Sequence, residues 1–240
     1  MDKYSIRKDN SITDLSRIPL SRRTFCLMTL ASMVTGCSSD SQFQHAAKAV
    51  QIDVSSFPDV PITRQQVDNL PYASIGAKLG KGPRSMLVLG KAHHQEAHWY
   101  SANRVAIVTR HGRIIKTAGL EKNLTNTMFY NKDPLATPTG QKAAKHSWIR
   151  AVDMAEDQRY QIALPTTWRE EGHETIEILG QTYNTLKITE NVVARNMDWK
   201  YSNTFWLDAQ SGIPWRSIQH FHPELPPFVI EIFKVPDLAG

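Results

Sequence analysis

Beyond residue 60 the chain is written in short stretches of alternating apolar and polar residues, punctuated by glycine, proline and small polar residues. That rhythm predicts strands and hairpins rather than helices. Arg84–Leu89 is a compact apolar run between Gly82-Pro83 and Gly90. Arg104–Thr109 and Arg113–Thr117 flank His111-Gly112, where a glycine supplies the positive φ of a tight turn. Glu174–Leu179 places Ile176 and Ile178 on one face, Gly180-Gln181 turns the chain, and Tyr183–Thr189 sets Leu186 and Ile188 together. Tyr201, Asn203, Phe205 and Leu207 alternate with Ser202, Thr204 and Trp206; Ser211-Gly212 follows, then strands over Trp215–Phe221 and Phe228–Lys234.

One early segment reads differently. Thr63 and Gln66 have the spacing of a capping box ahead of Arg64–Leu70, and Pro71 ends the short helix they start. Residues 121–147, rich in Asn, Thr, Lys and Pro, read as a long loop. The pattern therefore predicts a mainly β fold: a curved antiparallel sheet or half-open barrel with a short N-terminal helix, one side packed and the other wet or lining a groove.

The N-terminus has another character. Lys3, Arg7, Lys8, Arg17, Arg22 and Arg23 precede an uncharged stretch from Thr24 to Gly36. At about 13 residues this is the length of a signal h-region and short of the ~20 that cross a bilayer as a helix. It closes on Val34-Thr35-Gly36-Cys37, an aliphatic residue and two small ones before a cysteine, the arrangement of a lipobox. A thiol there accepts a diacylglyceryl group as a thioether, and its freed amine can be acylated, with palmitate for example. Two or more chains are what durable anchoring needs. The blander reading is an ordinary leader with an incidental cysteine. Ser38 stands where an Asp would mark inner-membrane retention, which favours the outer membrane. Ser21-Arg22-Arg23-Thr24-Phe25-Cys26-Leu27 resembles a twin-arginine signal, and a plain secretory route fits as well. The expected organisation is a signal over 1–36, a lipidated Cys37 with a polar tether to 53, and a single periplasmic domain over 54–240.

Charge changes the picture only by what the leader removes. Residues 1–36 hold six of the 28 Lys and Arg and three of the 23 Asp and Glu, so the remainder carries an excess of two positive charges. With no basic stripe, nucleic acid is not an expected partner. Both cysteines, Cys26 and Cys37, lie in the leader or at its end, so no disulfide is expected in the domain.

Several phrases, in order, carry a resemblance: Ile62–Ala73, Gly82–Leu89, Trp99-Tyr-Ser-Ala, Val108–Leu120, Asn123-Leu124, Asp133-Pro134-Leu135, Glu174–Gly180, Phe205-Trp-Leu-Asp208, Gly212–Arg216 and Leu225-Pro-Pro-Phe228. Together they span almost the whole domain. They are similar to the YjbF/GfcB family of lipoproteins associated with exopolysaccharide and group 4 capsule production. The resemblance implies an outer-membrane lipoprotein facing the periplasm, a β-rich fold and a part in polysaccharide export or assembly. It brings no active-site motif, and only the lipidated cysteine carries over, onto Cys37.

Candidate chemistry is sparse. His93, His94 and His98 cluster, and His220 and His222 share a face if that segment is a strand, but no third zinc ligand is specified, and neither a metal nor a cofactor is expected. There is no Gly-x-Ser-x-Gly elbow and no phosphate-binding glycine loop. Glu170-Glu171 and Glu174/Glu177 could form a hydrolase pair only if a cleft brought them face to face; an enzyme is not expected. For contact with a glycan or a protein partner the candidates are Arg110, Arg113 and Lys116 near the first hairpin, and Trp206 and Trp215 beside Ser211-Gly212. Strand-face solvation and core packing are the plainer roles of these residues. Two functions follow: an anchored accessory factor in exopolysaccharide or capsule secretion, or a periplasmic carrier that holds a lipid or glycan in a curved-sheet groove. A polysaccharide-modifying hydrolase is the remote third. The membrane, polysaccharide and other export proteins are the expected partners.

Overall fold

The computed structural model describes residues 61–137 and 145–235. Cys37, the tether and the expected start of the domain near Val54 lie outside the described residues.

Twelve antiparallel strands form one sheet: β1 (Ser74–Leu79), β2 (Ser85–His93), β3 (Glu96–Tyr100), β4 (Ala106–Arg110), β5 (Arg113–Ala118), β6 (Asn126–Phe129), β7 (Lys145–Met154), β8 (Arg159–Ile178), β9 (Gln181–Ala194), β10 (Trp199–Asp208), β11 (Pro214–Gln219) and β12 (Phe228–Lys234). Their order is β5-β4-β3-β2-β1-β12-β11-β10-β9-β8-β7-β6. Every neighbour is a hairpin partner except β1 and β12, which pair along Ser74–Leu79 and join the two ends of the sequence. The outer strands β5 and β6 then come round to meet: Thr117 N donates to Leu124 O (2.8 Å), and Thr127 Oγ1 donates to Ile115 O (2.9 Å). The expected curved sheet is thus a barrel, nearly closed.

A barrel widens with its strand number, and one this wide needs large side chains to fill it. Trp99, Trp168, Trp199 and Phe205 supply them, all buried in the interior. The loop between β6 and β7 adds more. Its 3-10 turn, Pro134–Ala136, is capped by Asp133, whose side chain accepts from Leu135 N (2.9 Å), and Leu135 packs with Trp168 and Phe205. The segment 121–147, expected as one loop, therefore also contains β6, this inserted turn and the start of β7. Short polar strands such as Asn126–Phe129 carry too little apolar pattern to be recognised.

The helix α1 (Arg64–Asp68) has its predicted capping box: Thr63 N donates to Gln66 Oε1 (2.8 Å) and Gln66 N to Thr63 Oγ1 (3.3 Å). It lies on the outer face, where Val67 packs against Phe233 and Trp206 and Arg64 Nη1 donates to Phe233 O (2.8 Å). The β8–β9 hairpin joins the same patch. A bulge between Glu170 and Gly172 inserts one residue, with Gly172 at φ +114°. One extra residue reverses which side chains face inward. Ile162, Leu164 and Trp168 point into the barrel, whereas Ile176 and Ile178 pack on the outer cluster. There Arg216 Nη2 donates to Glu177 O (2.7 Å).

Connections β1–β2, β3–β4, β5–β6, β7–β8, β9–β10 and β11–β12 all lie at one end of the barrel, and that end is laced together. His222 Nδ1 accepts from Glu224 N (3.2 Å), so Nε2 carries the proton and donates to Asp157 Oδ2 (2.9 Å); Lys122 Nζ reaches Asp157 Oδ1 (2.5 Å). His222 is buried, and burial pushes its pKa below the usual histidine value despite the opposing pull of Asp157. The unfolded chain then binds the extra proton first, so stability rises with pH up to about 6.5 and falls on acidification below it. Denaturant melts at pH 5 and pH 8 check this: replacing His222 by Gln is expected to shrink the difference between the two pH values.

Candidate functional site

The opposite end of the barrel carries the β2–β3, β4–β5 and β10–β11 turns, the inserted β6–β7 loop, the start of β1 and the end of β12. A cavity of about 480 Å³ opens there. Its walls are Ile75, Ala97 and Trp99 from β1 and β3, and Ile230 and Ile232 from β12. These residues line it because alternate positions of β1, β3 and β12 face inward and the barrel is too wide at this end for them to meet.

Two hairpin tips frame the mouth. His111 and Gly112 both have positive φ (50° and 81°), the turn that twisted strands favour. A Cβ on Gly112 would stand 2.2 Å from Cγ of Pro214, so the glycine lets the β4–β5 tip rest on the β10–β11 turn. Alanine there combines a disfavoured φ with a clash against the Pro214 ring and is expected to cost about 1–3 kcal/mol. Chemical denaturation of the Gly112→Ala variant measures it.

On the cavity wall the polar groups of Trp99, Thr109, Gly112 and Ser217 are already engaged. Trp99 Nε1 donates to Thr109 Oγ1 (2.9 Å). Gln219 Nε2 donates to Ser217 Oγ (2.9 Å) and Gly112 O (2.8 Å), and its Oε1 accepts from Ile114 N (2.9 Å). Among the described lining residues none is Asp, Glu, Lys or Arg, and none owns a buried polar atom that lacks a partner. A hydroxyl-rich ligand entering here would give up its hydrogen bonds to water without replacements, at about 1–3 kcal/mol each. Apolar surface entering gains roughly 25 cal/mol per Å² instead.

Beside this cavity the barrel holds a charged cluster. Arg113 is 1% exposed. It forms a fork with Asp133 (Nε–Oδ2 2.6 Å, Nη2–Oδ1 3.0 Å) and another with Glu190 (Nη1–Oε2 2.8 Å, Nη2–Oε1 2.5 Å). Its guanidinium lies 4.6 Å from the centre of the Trp148 ring. Burial alone would raise the Asp133 carboxyl, but the Arg113 charge and hydrogen bonds outweigh it and hold the group below the usual range. Arg150 sits nearby, donating to Thr166 Oγ1 (3.2 Å) and Tyr201 OH (3.3 Å). Because Asp133 belongs to the inserted loop and Arg113 to β5, the ion pair pins that loop into the barrel.

The candidate contact residues do not form one surface. Arg113 faces the interior, not solvent, because two buried carboxylates need its charge; the expectation of a surface-facing Arg113 is corrected. Arg110 is half-buried, ion-paired with Glu96, and has its guanidinium 5.2 Å over the Phe129 ring. Lys116 lies half-buried on β5. Trp206 is buried in the outer cluster under Lys187 and Arg216. Trp215 packs at a tilt against Tyr183 (centroids 4.1 Å apart, ring planes 35° apart) and donates from Nε1 to Asp208 Oδ2 (3.1 Å). His220 and His222 were expected on one strand face, but β11 ends at Gln219 and both lie in the following connection. His93 ends β2, and His94 with Gln95 forms the turn to β3, both at positive φ. Glu170 lies at the bulge, and Glu174 pairs with Lys187 (2.9 Å). The cavity itself left little sign in the sequence, since its walls come from strands that are adjacent only through the β1–β12 pairing.

Residues 46–233 match the family described as "Group 4 capsule polysaccharide lipoprotein gfcB, YjbF". The chain belongs to the YjbF/GfcB family. It is 28% identical over 191 residues to the uncharacterized lipoprotein GfcB of Escherichia coli K12, covering 79% of this chain and 88% of that one. It is 24% identical over 188 residues to the uncharacterized lipoprotein YjbF of the same organism, covering 78% and 86%. The barrel superposes on the crystal structure of the hypothetical lipoprotein YmcC from E. coli K12 with a TM-score of 0.67 at 28% identity, over 74% of this chain and 91% of that one. The nearly closed β barrel of this YjbF/GfcB member is therefore shared with an experimentally determined relative.

Proposed function

We propose that this YjbF/GfcB member is anchored through a lipid on Cys37 to the outer membrane, its barrel in the periplasm, and that it assists the secretion or assembly of an exopolysaccharide or capsule without catalysing a reaction. The observation that carries this is the lipobox Val34-Thr35-Gly36-Cys37 ahead of a domain whose family is described by capsule polysaccharide. The barrel suits a non-catalytic role: its buried charges are spent on each other, with Arg113 held between Asp133 and Glu190.

The test has two parts. Deleting the coding sequence is expected to lower surface polysaccharide, and the unaltered gene to restore it. A Cys37→Ser gene is expected not to restore it, and its product to incorporate no labelled palmitate. Unchanged polysaccharide in the deletion strain, or an unmodified Cys37 thiol in the mature protein, would overturn the proposal. A size change in purified polysaccharide incubated with the protein would overturn the non-catalytic part.

A further inference from the structure

We propose that the barrel mouth binds one acyl chain of a membrane phospholipid, end-on. This rests on the proposed lipid anchoring of the chain and names what its barrel binds. The cavity, about 480 Å³, falls within the roughly 300–1,000 Å³ range of small-ligand pockets. Its walls are branched aliphatic side chains and one indole whose N–H is already given to Thr109. Every further polar group whose bonds are described above, in Ser217 and Gly112, is turned toward Gln219. Among Ile75, Ala97, Trp99, Ile230 and Ile232 the one polar side-chain group, the Trp99 N–H, is already bonded, so a sugar against these walls would lose its hydrogen bonds to water without replacement, and an anionic polysaccharide would find no Lys or Arg among the described lining residues. A hydrocarbon chain needs neither.

The shape fits a chain tail rather than a whole lipid. Along β11 the cavity reaches Ser217, and two residues further Gln219, bonded to Gly112 and Ile114, stands across the interior. A chain that enters from the mouth leaves its head group at the rim, where Gln95, His111 and Ser211 are polar. The source of the chain follows from the proposed anchor. The described chain begins at α1, which packs beside Phe233 near the end of β12, the strand end that lies at the mouth. With Cys37 lipidated as proposed, a bilayer is the supply of acyl chains.

The full lipidated chain, reconstituted in phosphatidylethanolamine/phosphatidylglycerol vesicles doped with a phospholipid bearing a diazirine near the acyl terminus, tests this. After irradiation and digestion, cross-linked peptides are expected from β1, β3 and β12, around Ile75, Trp99 and Ile230. Filling the pocket with Ala97→Phe is expected to lower those adducts at least tenfold, while adducts on the tether peptide, an internal standard, stay constant. Because a core substitution can unfold the barrel, Ala136→Trp on the rim loop serves as the second filled variant, with far-ultraviolet circular dichroism checking the fold of each. Wild-type adducts confined to the tether, or β1, β3 and β12 adducts unchanged in a folded filled variant, would overturn the proposal. Loss of capsule on deletion together with no pocket adducts would leave the accessory role standing and remove only the acyl site.

Discussion

Replacing Arg113 by Met is expected to destabilise the barrel by about 3–5 kcal/mol, because it leaves the carboxylates of Asp133 and Glu190 buried with no counter-charge. That is a large share of the roughly 5–15 kcal/mol that holds a typical domain together. Equilibrium denaturation in guanidinium chloride measures it. Lysine is not expected to rescue the loss, since one ammonium cannot form the two planar forks made by Nε, Nη1 and Nη2. Pairing Arg113→Met with Glu190→Leu is expected to cost less than the two single changes added together, the mark of partners in one network.

The same cluster fixes a pH dependence. Asp133 has its folded pKa lowered, so the unfolded chain takes up the proton first as pH falls. Its contribution is full above the unfolded value, about 3.9, and is lost as pH drops through the lowered folded value. In the Arg113→Met variant that contribution is absent, so the stability gap between wild type and variant is expected to narrow on going from pH 7 to below pH 4. A gap independent of pH would mean that the arginine acts by packing on Trp148 and Phe205 instead of by charge.

The second large effect is expected at Trp168. It is 0% exposed and packs with Leu135, Leu186, Ile188, Phe205 and Leu207. Trp168→Ala removes the largest side chain of that cluster and is expected to cost about 3–5 kcal/mol, from lost burial and from the cavity left behind. The consequence reaches the β6–β7 loop, since Leu135 packs against this cluster and sits two residues from Asp133. Proteolysis of the folded variant is expected to cut first near residues 131–137, where wild type resists. Loss of stability without new cleavage there would show that the Arg113 ion pair alone seats the loop.

How much of this was legible in the residues differs from element to element. The capping box at Thr63 and Gln66 and the His111-Gly112 turn are local devices, set by atoms within a few residues, and the structure has both. The β2–β3 hairpin turns on His94-Gln95, with no glycine to announce its positive φ angles, so β3 is not marked in the sequence. The first half of β8 does not show in the sequence because its inward positions include Thr166 and its outward ones Pro165 and Thr167, which blurs the alternation.

Sequence by itself determined the prevalence of strands, the one short α-helix among the described residues and the family, because each is carried by neighbouring residues or by ordered phrases along the chain. Only the tertiary structure decided which basic residue turns inward and where the barrel stays open. Arg113 and Lys116 look alike on paper; Asp133 and Glu190, 20 and 77 residues away, make one of them interior. The mouth exists because β1 pairs with β12 across the whole length of the domain. Contacts at that separation depend on how the sheet closes, and a linear pattern of apolar and polar residues does not encode the closure.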